Sequence, residues 1–152
     1  MKFQRENAKD ILNDENLLPL FQKHWEEISF YKDIPLSPDY AQYKKLDEMG
    51  ILRVYTARDT DNKLVGYCVF FVNKNLHYSS APPQAMQDII FIDPEKRGFG
   101  AKFILWTEKQ LAAEGVAVLF HHIKTKTPHT IDLFRRLGYE NIDLILGKRL
   151  DK

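Results

Sequence analysis

Along the first third of the chain, apolar residues recur every three or four positions, which is the spacing of an amphipathic helix. Apolar residues separated by three and four predict a first helix over residues 14–31, with Asp14 as its cap. A second helix is predicted over residues 38–49. Ser37 is its expected cap and Pro38 lies in its first turn, where proline is tolerated.

Strands are predicted in the middle of the chain. Residues 51–57 and 64–73 are rich in β-branched and aromatic side chains, and a polar turn separates them, so they are expected to form a hairpin. A loop through 77–83 leads to a dense apolar run, Ile89 to Ile92, which predicts a buried central strand. Asp93-Pro94 ends this strand, because proline cannot donate to a strand ladder.

The remaining third alternates again between helix and strand. A helix is predicted from Gly100 to Gly115, a strand over 116–122 and a short helix over 127–137. Residues 139–150 are expected to form one or two closing strands. The predicted fold class is therefore α/β in the broad sense, an α+β domain spanning residues 1–152.

Composition adds limits to this pattern. Hydrophobic residues make up 44% of the 152 residues and charged residues 28%, as in ordinary globular domains. A net charge of +1 gives no general attraction to nucleic acid or to an anionic membrane. No apolar run approaches the length of about 20 residues that spans a bilayer, and the first residues lack the apolar core of a signal peptide. The single cysteine, Cys68, cannot form an internal disulfide, which fits the reducing cytoplasm that we expect for this chain.

The segment 87–106 predicts an anion-binding turn, because a strand, a glycine-bearing turn and a helix follow one another. The first amides of a helix lack partners, and the helix dipole favours negative charge there. Gly98 and Gly100 allow a phosphate to approach the backbone, and Arg97 can add a charged contact. The segment is not a P-loop or a dinucleotide fingerprint, since Phe103 stands where those motifs need a hydroxyl residue or a third glycine.

This segment resembles the acyl-CoA-binding motif of the GCN5-related N-acetyltransferase superfamily. In that family a strand ending in V-x-P leads to Q/R-x-x-G-x-G/A at a helix start. Ile92-Asp93-Pro94 and Arg97-Gly98-Phe99-Gly100 match this motif, whereas Lys102 stands where its last small residue belongs. The order of predicted elements from about residue 14 onward is also similar. Within the superfamily, the chain is similar to small phage-encoded acetyltransferase-like proteins.

The resemblance implies a mixed, mostly antiparallel central sheet with splayed central strands, flanked by helices. It also implies transfer of an acetyl group from acetyl-CoA to an amine of a small molecule or protein, without a metal. In the family, backbone of the splayed strand binds pantetheine and the turn binds the pyrophosphate. The corresponding positions here are Ile90, Phe91 and Ile92 on the strand, then Arg97, Gly98, Phe99, Gly100, Ala101, Lys102 and Phe103, with Thr127 beyond them. The oligomeric state, a homodimer included, is left open.

Acetyl transfer to an amine requires a base, because a lysine-like amine has a pKa of about 10.4. Asp88 lies two and four residues before Ile90 and Ile92, so we expect it on their face of the strand and near the reacting amine. The alternatives for Asp88 are an ion pair with Lys124 or Arg136, or simple exposure at the strand start.

Histidines supply further candidates. His121 and His122 are adjacent in a predicted strand, so one of them is expected in the cleft that Asp88 faces. Each is also compatible with a structural, hydrogen-bonded role. Opposite orientations and the absence of HxH or HExxH spacing argue against a shared metal.

The usual general acid of the family is missing. A tyrosine in N-x-x-A-x-x-L-Y protonates the leaving thiolate there, and Phe134 stands at that position in this chain. His129 is the nearest replacement, and Tyr139 matches a core aromatic. For the acceptor, His77, Tyr78 and Lys124 are candidate substrate contacts, although the first two are equally compatible with a solvated loop.

Two other functions remain open at this point. A non-catalytic acyl-CoA-binding or host-interaction protein is favoured by Phe134 and Lys102, which depart from the family pattern. A nucleic-acid or host-protein binder would use a local basic patch of Lys124, Lys126, Arg135 and Arg136. The near-neutral net charge argues against the latter.

Overall fold

The computed structural model describes residues 1–152, and its centre is one five-stranded sheet with strands in the order β1-β2-β3-β4-β5. β1 to β4 pair antiparallel and β5 runs parallel to β4, so the sheet is mixed and mostly antiparallel, as predicted. The strands are β1 (Lys2–Glu6), β2 (Leu52–Arg58), β3 (Leu64–Asn73), β4 (Gln84–Ile92) and β5 (Val118–Phe120). The helices are α1 (Ala8–Ile11), α2 (Leu17–Ile28), α3 (Tyr40–Glu48), α4 (Gly100–Ala113) and α5 (Pro128–Arg136).

Helices cover both faces of the sheet. On one face, Leu17, Leu20 and Phe21 of α2 pack against strand residues such as Tyr67. On the other, Phe103 and Leu111 of α4 pack with Tyr55, Cys68 and Phe70. Tyr67 and Cys68 are neighbours on opposite faces, as period-two alternation requires. Because both faces are covered, β2 and β3 are almost entirely buried. None of the helices combines the length and the apolar composition needed to cross a membrane.

β1 is an element that the apolar pattern does not predict. Four of its five residues are polar, and it is held instead by Arg58, which is buried at the end of β2. The Arg58 guanidinium donates to both carboxylate oxygens of Glu6 (2.8 and 3.0 Å) and to Asp14 (2.8 Å). Burial raises the pKa of Glu6, but the hydrogen bonds from Arg58, Thr56 and Gln4 and the charge of Arg58 together outweigh it, so the pKa is lower than usual.

The predicted starts of the first two helices are wrong. The first helix, α2, begins at Leu17, and the short helix α1 before it was not predicted. Asp14 does not cap α2, because its carboxylate is occupied by Arg58 and the Asn16 amide. The second begins later than predicted. Asp39, rather than Ser37, is its cap and accepts from the Gln42 amide at 2.9 Å.

The closing strands predicted over 139–150 do not form, and β5 is shorter than the predicted 116–122. The alternating residues Ile142, Leu144 and Leu146 are exposed. The last residues pack instead on the segment after α2. The Arg149 guanidinium donates to both oxygens of Asp33, at 3.0 and 3.2 Å.

Candidate active site

A β-bulge in the middle of β4 sets the geometry of the site. Val69 on β3 pairs with Ile89, while the next residue, Phe70, pairs with Gln87, so Asp88 is the extra residue on β4. The bulge reverses the alternation of β4. The prediction that Asp88 shares a face with Ile90 and Ile92 is therefore wrong, because those two pack on the α4 side while Asp88 bonds to α3 on the other.

β4 and β5 separate directly below the bulge. Their pairing ends at Met86 and Phe120, and β5 stops there. The Asp93 amide donates to Val65 of β3 at 2.8 Å. Because peptide groups alternate in direction along an antiparallel strand, those of Ile90 and Ile92 face away from β3 and into this opening.

The peptide of Phe91 is directed differently from those of its two neighbours. By the same alternation it faces β3, and the Phe91 ring stacks on His24 with the ring centroids 4.7 Å apart. The predicted backbone contact from Phe91 is therefore wrong, while Ile90 and Ile92 keep the geometry that the prediction needs.

The glycine turn follows the end of β4 and leaves helix amides free. Gly98 has φ +118°, a conformation that favours glycine. Phe99 stands at the cap of α4 and has no side-chain acceptor, so the amides of Gly100, Ala101 and Lys102 have no capping partner. The Phe103 amide already donates to Phe99 at 3.0 Å and its ring is buried, so the predicted anion contact from Phe103 is wrong.

Gly100 lies where the turn meets the opening. A Cβ added there would approach Ile92 Cδ1 at 3.4 Å and Leu133 of α5 at 4.0 Å. A side chain larger than alanine at this position would therefore extend into the space between β4 and α5.

Arg97 does not extend freely over the turn. Its guanidinium bonds both oxygens of Glu27 on α2, at 2.7 and 2.5 Å. An anion bound at the turn would have to share Arg97 with this carboxylate.

A cleft of about 460 Å³ opens on the face of the sheet opposite α4. We call it the aromatic cleft. It lies between α2, the segment 29–38, α3, β4 and the chain after β5. Its lining residues are Phe21, His24, Trp25, Ile28, Ser29, Phe30, Tyr31, Ile34, Pro35, Leu36, Ser37, Pro38, Tyr43, Ile89 and Lys124.

Asp88 adjoins this cleft through Tyr43. The Tyr43 hydroxyl donates to Asp88 Oδ2 at 2.6 Å. The other carboxylate oxygen, Oδ1, has no hydrogen-bond partner in the protein and is exposed to solvent. Burial raises the pKa of Asp88, and the hydrogen bond from Tyr43 opposes that rise. A half-buried carboxylate with one fixed and one free oxygen has the geometry of a general base.

His24 is a site residue that the sequence interpretation missed. It is buried on α2 and lines the cleft, and its Nδ1 lies 2.7 Å from the Tyr67 hydroxyl. Burial and the charge of Lys124 lower its pKa to about 4, so the imidazole is neutral at pH 7. Its spacing from Phe21 and Ile28, three and four residues, was the available signal, since it places a polar residue on the apolar face of the helix.

No protein-family model matches the chain, and no curated protein is similar to it in sequence. Solved structures do match over nearly the whole chain. An aminoglycoside acetyltransferase from an uncultured soil metagenomic sample, in complex with sisomicin, superposes with a TM-score of 0.76 at 21% identity, covering 99% of this chain and 96% of that one. This chain has the N-acetyltransferase fold.

Two further structures show how widely the match extends. A ribosomal-protein-alanine N-acetyltransferase from Brucella melitensis biovar Abortus 2308 gives a TM-score of 0.70 at 16% identity, with 99% of this chain and 100% of that chain covered. A glucosamine-6-phosphate N-acetyltransferase from Arabidopsis thaliana gives 0.69 at 11% identity, with 99% and 98% covered. The predicted fold is confirmed, and the narrower likeness to phage proteins stays a prediction.

Within this N-acetyltransferase fold, His121 lies on the far side of β4 from Asp88. Its Nδ1 is 2.6 Å from Gln87 Oε1, and its ring contacts Phe70 and Phe134. Since an amide oxygen only accepts, Nδ1 carries the proton, and the buried Nε2 is left without a partner. Burial lowers the pKa of His121 to about 3. The prediction that a histidine of this pair meets Asp88 in one cleft is wrong for His121, and His122 is exposed.

The remaining candidates lie in other places. Phe134 is buried against His121 and Tyr139, and the Tyr139 hydroxyl donates to Glu108 at 2.8 Å. The Thr127 hydroxyl donates to the Lys124 carbonyl at 2.7 Å, and His129 is exposed on the first turn of α5.

Of the predicted substrate contacts, only Lys124 lines the aromatic cleft. His77 and Tyr78 are exposed in the loop between β3 and β4 and do not line it. Their role as substrate contacts therefore stays a prediction, without support from this cleft. Tyr31 lines the cleft because the segment after α2 folds over it, and Tyr43 of α3 lines it as well.

Proposed function

We propose that the chain is an acetyl-CoA-dependent N-acetyltransferase whose amine acceptor binds in the aromatic cleft. The observation that carries the proposal is the bulge in β4, which joins two spaces at adjacent residues. Ile90 turns its peptide toward the opening between β4 and β5, and Ile89 and Asp88 adjoin the cleft on the other face. A thioester in the opening and an amine in the cleft would meet at this bulge.

Acetyl-CoA suits the groups present in the opening. The free peptide groups of Ile90 and Ile92 are donors and acceptors for the amide-bearing pantetheine arm. The free amides of Gly100, Ala101 and Lys102, at a helix start after Gly98, suit the pyrophosphate. The acetyl-transfer activities named for the structures with this fold support the same assignment.

In the proposed reaction the amine nitrogen attacks the thioester carbon. Asp88 takes the amine proton through Oδ1, directly or through water, while Tyr43 holds Oδ2 in place. The carbon–sulfur bond then breaks, and the CoA thiolate leaves and is protonated from solvent. No tyrosine hydroxyl is needed for that last step, because a thiolate is a tolerable leaving group.

A thiol-release assay with acetyl-CoA and a panel of primary amines tests this function. Wild-type protein is expected to release CoA with at least one amine. Gly100→Glu is expected to abolish release, because it places bulk and negative charge between β4 and α5. Gln110→Glu, which adds the same charge farther along α4, is expected to retain it.

One observation favours the alternative of a non-catalytic acyl-CoA-binding protein. Phe134 is buried and has no hydroxyl where the family has its general acid. Saturable binding of acetyl-CoA with no thiol release for any amine would support this alternative and contradict the enzymatic proposal.

A further inference from the structure

Aromatic and aliphatic side chains form most of the wall of the aromatic cleft. Rings come from Phe21, Trp25, Phe30, Tyr31 and Tyr43. A volume of about 460 Å³ lies within the range of clefts that hold a small organic ligand. The wall therefore offers burial and ring stacking to an apolar body of about the size of an aromatic amino acid.

Cationic side chains border this cleft on several sides. Lys124 lines it directly, is exposed and has no acidic partner. The others contact the lining residues: Lys126 donates to the Ser29 carbonyl (3.1 Å), Lys32 lies over the Trp25 ring (4.6 Å) and Arg149 lies over the Tyr31 ring (5.2 Å). The border of the cleft is thus positively charged, and Lys124 is free to pair with an anion.

Acidic side chains are few at the cleft, and none belongs to its lining. Asp88 stands behind Tyr43, and Asp33 is already paired with Arg149 and Lys152. A polycation such as an aminoglycoside carries several ammonium groups, each of which loses hydration on binding and needs a carboxylate. This cleft can neutralise about one ammonium group, at Asp88.

We infer that the acceptor is a small primary amine with an apolar or aromatic body and one anionic group, the chemistry of a free aromatic amino acid. This inference rests on the proposed function. The amine lies toward Asp88, the apolar body occupies the aromatic wall, and the carboxylate pairs with Lys124. The cleft thereby selects against polycationic acceptors.

Matched amines test this inference in the thiol-release assay. Phenylalanine and phenylethylamine differ only in the carboxylate, and kanamycin supplies a polycation. Phenylalanine is expected to have the lower KM of the matched pair, with kanamycin the poorest acceptor. Lys124→Ala is expected to raise the KM for phenylalanine about fivefold and to leave that for phenylethylamine unchanged, as for an ion pair at a partly exposed site. Lys109→Ala, an exposed lysine on α4, is the control and is expected to change neither.

The outcomes distinguish a wrong substrate class from a wrong assignment of acetyltransferase activity. A KM for kanamycin or phenylethylamine equal to or below that for phenylalanine overturns the substrate class but leaves the acetyltransferase intact. The same conclusion follows if Lys124→Ala affects both matched amines equally. No thiol release with any amine overturns the proposed function, and the inference with it.

Discussion

The Tyr43 hydroxyl donates a hydrogen bond of 2.6 Å to Asp88 Oδ2, which connects α3 to the bulged residue of β4. Burial raises the pKa of Tyr43, and the neighbouring carboxylate raises it further, so Tyr43 remains a donor at any pH near neutrality. The pair thus fixes the orientation of the carboxylate and leaves Oδ1 for a substrate.

Asp88→Asn is expected to separate activity from stability. Loss of the base should lower turnover by about two to four powers of ten, with acetyl-CoA affinity retained. Because the pKa of Asp88 is raised in the folded chain, Asp88 keeps its proton there at pH values just above the ordinary carboxyl pKa, whereas the unfolded chain has lost it. The free energy of unfolding therefore falls as pH rises through that window. At pH 7 the amide should therefore leave stability unchanged or higher, as urea denaturation will measure.

Tyr43→Phe provides the companion variant. It keeps the ring in the cleft wall and removes the donor to Asp88, so it should lower turnover less than Asp88→Asn does. Wild-type turnover in folded Asp88→Asn protein would show that Asp88 is not the base.

His24 should make stability depend on pH. The unfolded histidine binds a proton below about pH 6.5, whereas the folded one does so only near pH 4. The contribution of His24 to the free energy of unfolding is therefore expected to fall by about 3 kcal/mol as pH drops through this window, at about 1.4 kcal/mol per unit. In His24→Gln protein, denaturation at several pH values should show a slope smaller by one proton. His77→Gln, at an exposed position, should keep the wild-type slope; an unchanged slope in His24→Gln would contradict the assignment.

These residues also show what the sequence can and cannot predict. The strand ending at Ile92, the glycine turn and α4 could be predicted because local pattern and turn chemistry determine them, and the structure confirms all three. The bulge at Asp88 depends on pairing with β3, which local pattern does not encode, and it places Asp88 on the face opposite to Ile90 and Ile92. The residues after Tyr139 have the alternation of a strand, but their apolar side chains are exposed and no strand forms, so alternation alone was an insufficient signal.

Glu27 should compete with phosphate for Arg97. Glu27→Gln removes the carboxylate that now holds the guanidinium and should tighten CoA binding up to about fivefold at low salt. Arg97→Ala should weaken binding, and both effects should shrink as salt is added. Glu26→Gln is the control on the same helix. Calorimetric titrations that show weaker binding for Glu27→Gln would mean that the ion pair positions Arg97 rather than withholding it.

The carboxyl-terminal residues should influence the acceptor rather than the cofactor. Arg149 and Lys152 bond Asp33, and Arg149 covers the ring of Tyr31 in the cleft wall. Asp33→Asn is expected to loosen this contact and to raise the KM for the amine about twofold to fivefold, with acetyl-CoA affinity unchanged. Asp61→Asn, in the exposed turn before β3, should have no such effect. An equal change in KM in both variants would show that the contacts of Arg149 and Lys152 with Asp33 do not influence acceptor binding.

The central claim is that acetyl-CoA binds in the opening between β4 and β5, with its pyrophosphate at the start of α4. Calorimetric titration of the purified protein with acetyl-CoA tests it without any knowledge of the acceptor. The account predicts saturable binding of one molecule per chain, retained in Gln110→Glu and lost in Gly100→Glu. No binding by wild-type protein, or unchanged affinity in correctly folded Gly100→Glu protein, would contradict it.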